Sequence, residues 1–361
     1  MPVSKFSEAV VAPETAHSKD DLGATHIRMT DVEALRWLED LFSIKATAKR
    51  LDTEKDDSFC VDASDGRRFI LKVANPNENM EIISFQVDLM RHVGVVDRGL
   101  PVPVTLHGLN GQDIQHIVDA AGQSRHLRVM SYLDGTPLDS TGSTDTERGK
   151  VGEMLARLRL ATASFGHPAD DRVLAWDIQH LPSLYPLLDE VANAEHKKLL
   201  AAGIERFELF RSVLPRLRRQ VLHNDFSKSN IIVNHAAAEF VTGIIDFGDA
   251  VRTAIAIDVS TALLNQLPRD AASRKIDDLL AEGRDLLQGY LRIADLTEEE
   301  LGLIPHLIMG RIIARALITL WRARLIPENS VYILRNTEQG WGQLKWFLER
   351  PFSSVSAMLI S

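Results

Sequence analysis

The sequence predicts an α+β protein of two unequal lobes: a small antiparallel sheet with a helix, then a larger and mainly helical lobe. Three observations carry this. Residues 45–73 run in short alternating or apolar stretches broken by the turn signal Ser64-Asp65-Gly66. Beyond Asp134-Gly135 the apolar spacing becomes helical. Two short apolar runs, 231–234 and 240–245, interrupt that helical stretch. The 361 residues, 45% hydrophobic and 25% charged, suit one large or two medium domains.

Residues 1–24 read as a flexible arm, since they lack the apolar core of a signal peptide and are too acidic for a typical transit peptide. Thr30 is the expected N-cap of a short helix, with Glu33 three residues on and Leu35, Leu38 and Phe42 along one face. A hairpin follows over 45–73. Residues 77–94 carry Met80, Ile83, Val87 and Met90 at helical spacing and end in Gly94, so a helix is expected to pack on that hairpin. Further strands reach to about residue 130. The N-lobe is thus assigned to 25–133 and the C-lobe to 134–361.

A formal charge of −9 argues against a nucleic-acid or anionic-membrane partner, both of which favour a basic face. The single cysteine, Cys60, excludes an internal disulfide and a cysteine zinc cage, and reads as a small buried apolar residue in a reducing compartment. The apolar run 312–321 is interrupted by Arg315 and flanked by Arg311 and Arg322, short of the roughly 20 apolar residues of a membrane span. The expected setting is the cytoplasm.

The chemistry concentrates in 221–251. His223-Asn224-Asp225 is followed by Asn230 and then by Asp246-Phe247-Gly248, while Lys72 ends an apolar strand and Glu81 lies in the next helix. That is the protein-kinase signature order. Phosphoryl transfer explains the residue types, because the enzyme acts by positioning and by stabilising charge on phosphate oxygens. Lys72 would hold the α- and β-phosphates of ATP or GTP, and Glu81, with Glu78 as competitor, would orient it. Asn230 and Asp246 are oxygen ligands suited to Mg²⁺. Asp225 would take the proton of the acceptor hydroxyl. His223 reads as a brace of the loop, Asp249 as a loop cap or a metal or substrate contact, and Asp258 as an ordinary helix N-terminal carboxylate.

The glycine-rich loop and the H-R-D arginine of protein kinases are absent, Asn224 standing in the arginine's place. The segments resemble instead the aminoglycoside phosphotransferase and choline kinase superfamily, over about residues 25–350. Residues 54–59 resemble its E-R-D-x-N-F pattern, and "VMSYLDGTPL" resembles the segment that receives the nucleobase. That resemblance implies a protein-kinase-like two-lobed fold, Ser58 in the nucleotide loop, and Met130 and Tyr132 near the base. Within the superfamily, "WDIQHLPSLYPLL", "GIIDFGDAV" and "LIPENSVYILRNTEQGWGQLKWF" resemble hydroxylysine kinase and its bacterial relatives. Two departures stand out: Asn224 replaces the group's usual glycine, and Ser227-Lys228-Ser229 is more basic than its usual loop.

The resemblance implies transfer of a γ-phosphoryl group to a hydroxyl of a small amine-bearing metabolite or amino acid, with hydroxylysine foremost. Homoserine, an amino alcohol or an aminoglycoside are the alternatives, and a nucleotide-binding pseudokinase a further one. An amino-acid acceptor carries a carboxylate. Arg311 and Arg315 lie one helical turn apart, and guanidinium matches carboxylate in bidentate fashion; the resemblance implies an arginine at the position of Arg311, which is the candidate anchor. Trp176, Asp177 and Trp341 are candidates to line the same pocket.

Overall fold

A computed structural model describes residues 26–53, 55–273 and 275–360; the arm 1–24 and Glu54 lie outside the described residues. Helix α1 (Asp31–Phe42) starts on Thr30, whose hydroxyl accepts from the Glu33 amide at 3.2 Å. The Glu33 carboxylate does not return to Thr30 but accepts from the Ala120 amide at 2.6 Å, tying α1 to a distant turn. Strands β1 (Ala46–Leu51), β2 (Asp57–Ala63), β3 (Arg68–Val73), β4 (Gln115–Val118) and β5 (Ser124–Ser131) form one antiparallel sheet in the order β1-β2-β3-β5-β4.

The two faces of this sheet meet different partners. Phe59, Val61, Phe69, Leu71, Val73, Leu127 and Val129 point to one side and share a core with Ala34, Leu38 and Phe42 of α1. The period of two puts Ser58, Lys72 and Arg128 on the other side, as register partners across β2, β3 and β5. Helix α2 (Met80–Val96) was expected to pack on the hairpin. Its Phe85, Leu89, Met90 and Val93 instead join the core of the C-lobe, because the sheet face turned to it carries the polar row. Gly94 lies inside α2, which ends where Asp97 turns extended. Cys60 faces the polar side and is partly exposed, not buried as expected.

The chain leaves the N-lobe through β6 (Thr136–Pro137), which pairs at once with β8 (Ile231–Val233). Gly135 precedes it at φ 146°, where a Cβ would meet the Val233 carbonyl at 2.6 Å, so only glycine fits. Helix α3 (Asp145–Thr162) opens on a full Thr144–Glu147 capping box. A 3₁₀ run at Ile178–Glu190 and α4 (Ala194–Glu208) lead to two small ladders, β7 (Arg219–Leu222) with β10 (Val251–Ala254), and β8 with β9 (Val241–Ile244). The sequence signals β8 and β9 but not the outer pair. Helices α5 (Ile255–Leu264), α6 (Ala281–Leu291), α7 (Glu298–Leu325), α8 (Ser330–Leu334) and α9 (Glu338–Leu348) complete the lobe. By length and composition α7 could cross a membrane, yet 83% of its most apolar window is buried as the lobe's central helix.

Candidate active site

The loops at 223–230 and 245–250 emerge between the two small ladders. Leu222 pairs with Val251 on one side and Ile231 with Ile244 on the other, while the Ile245 amide donates to the Asn230 carbonyl at 2.9 Å. The ends of both loops are thereby fixed against each other. His223 completes the link: its Nε2 lies 3.0 Å from the Ile245 carbonyl, its Nδ1 accepts from the Asp225 amide at 3.3 Å, and its ring lies against Phe247. These bonds suit the neutral tautomer with the proton on Nε2. The expected bracing role of His223 is what the geometry displays.

Asn224 occupies the left-handed region at φ 60°, as does Asp246 at φ 61°. Glycine enters that region freely, and asparagine and aspartate enter it more readily than other residues. The replacement of glycine by Asn224 therefore concerns the backbone. The Asn224 amide donates to Asp258 Oδ1 at 2.7 Å, so Asp258, 2% exposed, holds the turn that aims Asp225 into the cleft. Burial pushes Asp258 up to about 6, against the pull of His223 and the Asn224 amide. Reading Asp258 as a helix-end charge missed this contact, which spans 34 residues.

The cleft between the lobes is a cavity of about 900 Å³. Asp225, Asn230, Asp246, Asp249, Lys72, Ser58 and Arg311 all line it. Lys72 Nζ stands 3.9 Å from Asp246 Oδ1, and its ammonium is the main reason the Asp246 carboxylate sits below its ordinary range, against a burial effect of opposite sign. Asn230 Nδ2 donates to Asp225 Oδ2 at 2.7 Å and to the Asp225 carbonyl at 3.0 Å. Its Oδ1 is left for another partner. Burial raises Asp225, opposed first by Arg311, whose Nη2 is 4.0 Å from Asp225 Oδ1. Asp249 is pushed up to about 6 by burial and by the charge of Asp225. Arg172, which the sequence does not signal, donates to the carbonyls of Gly248 and Ala250 and fixes that loop.

Among the described residues, no group of three or more His, Cys, Asp or Glu side chains could hold a metal ion alone. Asp246 and the free oxygen of Asn230 still fit Mg²⁺, which binds through one or two protein oxygens together with substrate phosphates and water.

Several expected residues stand elsewhere. Glu81 is exposed in the first turn of α2 and does not meet Lys72, whose ion pair is with Asp246. The residues of α2 that line the cleft are Ile82 and Gln86, one turn apart, and Glu78, just ahead of the N-cap Asn79, pairs with Lys55 across the mouth of the cleft. Met130 and Tyr132 do not line the cavity: Met130 packs into the inter-lobe core and Tyr132 lies under Arg68 at 4.0 Å. Asp177 is fully buried, capping the 3₁₀ run and accepting from Thr253 Oγ1 at 3.0 Å. Trp341 is buried against His196, whereas Trp176 lines the cavity beneath Arg311.

Comparison with known proteins agrees with this arrangement. Residues 47–296 match the phosphotransferase enzyme family (APH). Hydroxylysine kinase of Xenopus laevis is 23% identical over 343 residues, 88% of this chain and 89% of the relative. Homoserine kinase of Methylobacillus glycogenes is 27% identical over 259 residues, 72% of this chain and 73% of that one. Among solved structures, a microcompartment-associated aminopropanol kinase superposes with a TM-score of 0.71 at 18% identity, covering 91% of this chain and 100% of its own. An amicoumacin kinase in complex with AMP-PNP, Ca²⁺ and Ami superposes with a TM-score of 0.62 at 18% identity, covering 82% and 88%. The fold is thus the two-lobed α+β fold of aminoglycoside phosphotransferases, and the chain belongs to the phosphotransferase enzyme family as a small-molecule kinase with an alcohol acceptor.

Proposed function

We propose that this kinase transfers the γ-phosphoryl group of ATP or GTP to the side-chain hydroxyl of an amino acid, hydroxylysine foremost. One observation carries the acceptor class: Arg311 is 6% exposed, stands 4.0 Å from Asp225, and has a buried Nη1 without a hydrogen-bond partner. A buried guanidinium left short of acceptors costs free energy that a ligand carboxylate recovers. Arg269, Arg315, Arg322 and Arg335 line the same cavity and make that wall basic. An acceptor site for polycationic drugs calls for carboxylates instead. Hydroxylysine is put before homoserine on residues 176–188, 243–251 and 325–347, which resemble hydroxylysine kinase; coverage does not separate the two, since a homoserine kinase relative matches 89% of this chain and the hydroxylysine kinase 88%.

In this reading Asp225 accepts the hydroxyl proton and Asn230 holds it in place through Oδ2. Raised proton affinity from burial favours that task. Lys72, and Ser58 with its buried unpaired hydroxyl, face the nucleotide phosphates. Mg²⁺, when bound at Asp246 and Asn230, would neutralise phosphate charge. Asp249 is the carboxylate left for the substrate ammonium. A nucleotide-dependent reaction and a lone cysteine support a cytoplasmic setting.

The test is nucleotide turnover with ATP or GTP across hydroxylysine, homoserine, amino alcohols and an aminoglycoside. Turnover confined to acceptors with a carboxylate is expected. Equal rates with amino alcohols would remove the assigned role of Arg311, and no turnover with any acceptor would favour the pseudokinase.

A further inference from the structure

Arg128 has no role in the reading above. It is the register partner of Lys72, which is itself the partner of Ser58, so the three side chains share one face of the sheet. Side chains directly opposite in an antiparallel pair lie about 5 Å apart at Cβ. Lys72 and Ser58 line the nucleotide side of the cavity. Arg128 is 3% exposed, its Nη2 donates to Gln86 Oε1 at 2.8 Å, and its Nε is buried without a partner. It makes no ion pair among the described residues. Gln86 also lines the cavity, on α2 one turn after Ile82.

A buried arginine is ordinarily balanced by a carboxylate, because removing its charge from water is costly. Here the neighbour on one side is another cation and on the other a neutral amide. In the protein-kinase arrangement the strand lysine faces a glutamate on the helix; here the helix supplies a glutamine that lines the cavity with Lys72, and Arg128 is a second cation buried directly behind that lining. Asp56, Asp246 and Glu78 offset the effect of burial on Arg128 from a distance, without contact.

We propose that Arg128, steadied by Gln86, is a second cation for the polyphosphate of the nucleotide, acting beside Lys72. The phosphate anion would be its missing counter-charge. Gln86 suits this task because its amide oxygen fixes the guanidinium without neutralising it, as a glutamate would.

The inference rests on nucleotide binding, and the experiment separates the two. Calorimetric titration of the full chain with ADP and with adenosine is compared for wild type, Arg128→Gln and Gln86→Glu. The expected result is ADP affinity lowered roughly ten- to hundred-fold in Arg128→Gln, with adenosine affinity unchanged. Gln86→Glu keeps the size of the side chain and gives Arg128 a carboxylate. It is expected to keep the fold and still lose about ten-fold in ADP affinity, and it carries the test alone if Arg128→Gln does not fold. Unchanged ADP affinity in a folded variant, or equal losses for ADP and adenosine, would overturn the role of Arg128. Where the wild type binds GDP and not ADP, GDP and guanosine take the places of ADP and adenosine; failure to bind either diphosphate would overturn nucleotide binding and the inference with it.

Discussion

Arg125 in the N-lobe sheet and Arg311 on the C-lobe wall of the cleft are 0% and 6% exposed, yet their surroundings differ. Arg125 donates from Nε to the Ala74 carbonyl at 2.8 Å and from Nη2 to the Val73 carbonyl at 3.2 Å, and its Nη1 pairs with Asp57 at 2.8 Å. Asp57 also accepts from Arg50 at 2.6 Å and from the Met29 amide at 3.0 Å. Burial pushes the Asp57 carboxylate up, but these bonds together hold it below its ordinary range. The Nη1 of each arginine is buried without a well-directed hydrogen bond, but that of Arg125 touches a carboxylate, whereas the nearest carboxylate to Arg311 stands at 4.0 Å. Charge neutralised in contact holds the N-lobe together; the charge of Arg311 has no such contact, as the proposed carboxylate acceptor requires. The same contrast separates Arg125 from Arg128, three residues along the same strand.

The largest effect expected is on chemistry. Asp225→Asn should lower acceptor-dependent kcat by roughly 10²- to 10⁴-fold with ADP affinity nearly intact, and full activity in that variant would remove Asp225 as base. Arg125→Met should cost about 3–5 kcal/mol of stability, read from urea unfolding, since it breaks the buried pair with Asp57 and takes the guanidinium donor from the Val73 and Ala74 carbonyls. A loss well under 1 kcal/mol would show that the contact of Arg125 with Asp57 does not hold the N-lobe together.

Asp258 gives a pH signature. Its folded value of about 6 lies above its ordinary value of 3.8, so the folded state keeps the proton that the unfolded chain has released. Its contribution is complete below pH ~4, is eroded as pH rises towards ~6, and is constant above, a change on the order of 3 kcal/mol. Unfolding curves for Asp258→Asn should lack that share of the slope.

Arg311→Met should reduce kcat/KM roughly ten- to hundred-fold for an acceptor with a carboxylate, and leave stability unchanged or improved. A stability loss comparable to that of Arg125→Met would place Arg311 among the structural charges. The smallest effect is at Asn224: glycine should be nearly neutral, whereas alanine at φ 60° should cost roughly 1–2 kcal/mol.

Residues at fixed spacing around a hairpin were legible in the sequence. Asn230 and Asp246 flank β8 and β9, a local unit whose apolar runs announce it, Asp225 stands five residues before Asn230 in the same loop, and Lys72 follows from the alternation of β3. Roles set by long-range register were not. Arg128 depends on β5 pairing with β3, Asp258 on a bond across 34 residues, and Arg172 on one across 78. The α2 glutamate was misjudged because helical spacing gives the buried stripe but not which flank of it meets the cleft. Asp177 was misjudged because a carboxylate beside a tryptophan reads the same whether it caps a turn or faces a ligand.

The short ladder of Thr136 with Val233 and Pro137 with Ile232 bears on how the lobes move. The chain that leaves the N-lobe is stitched directly to the strand whose near end carries Asn230. A slack tether would let the N-lobe swing freely; here the fulcrum is confined to residues 132–135, clasped by Arg68 through Tyr132 and Asp134. Any rotation of the N-lobe about these residues would therefore act on the strand that carries Asn230.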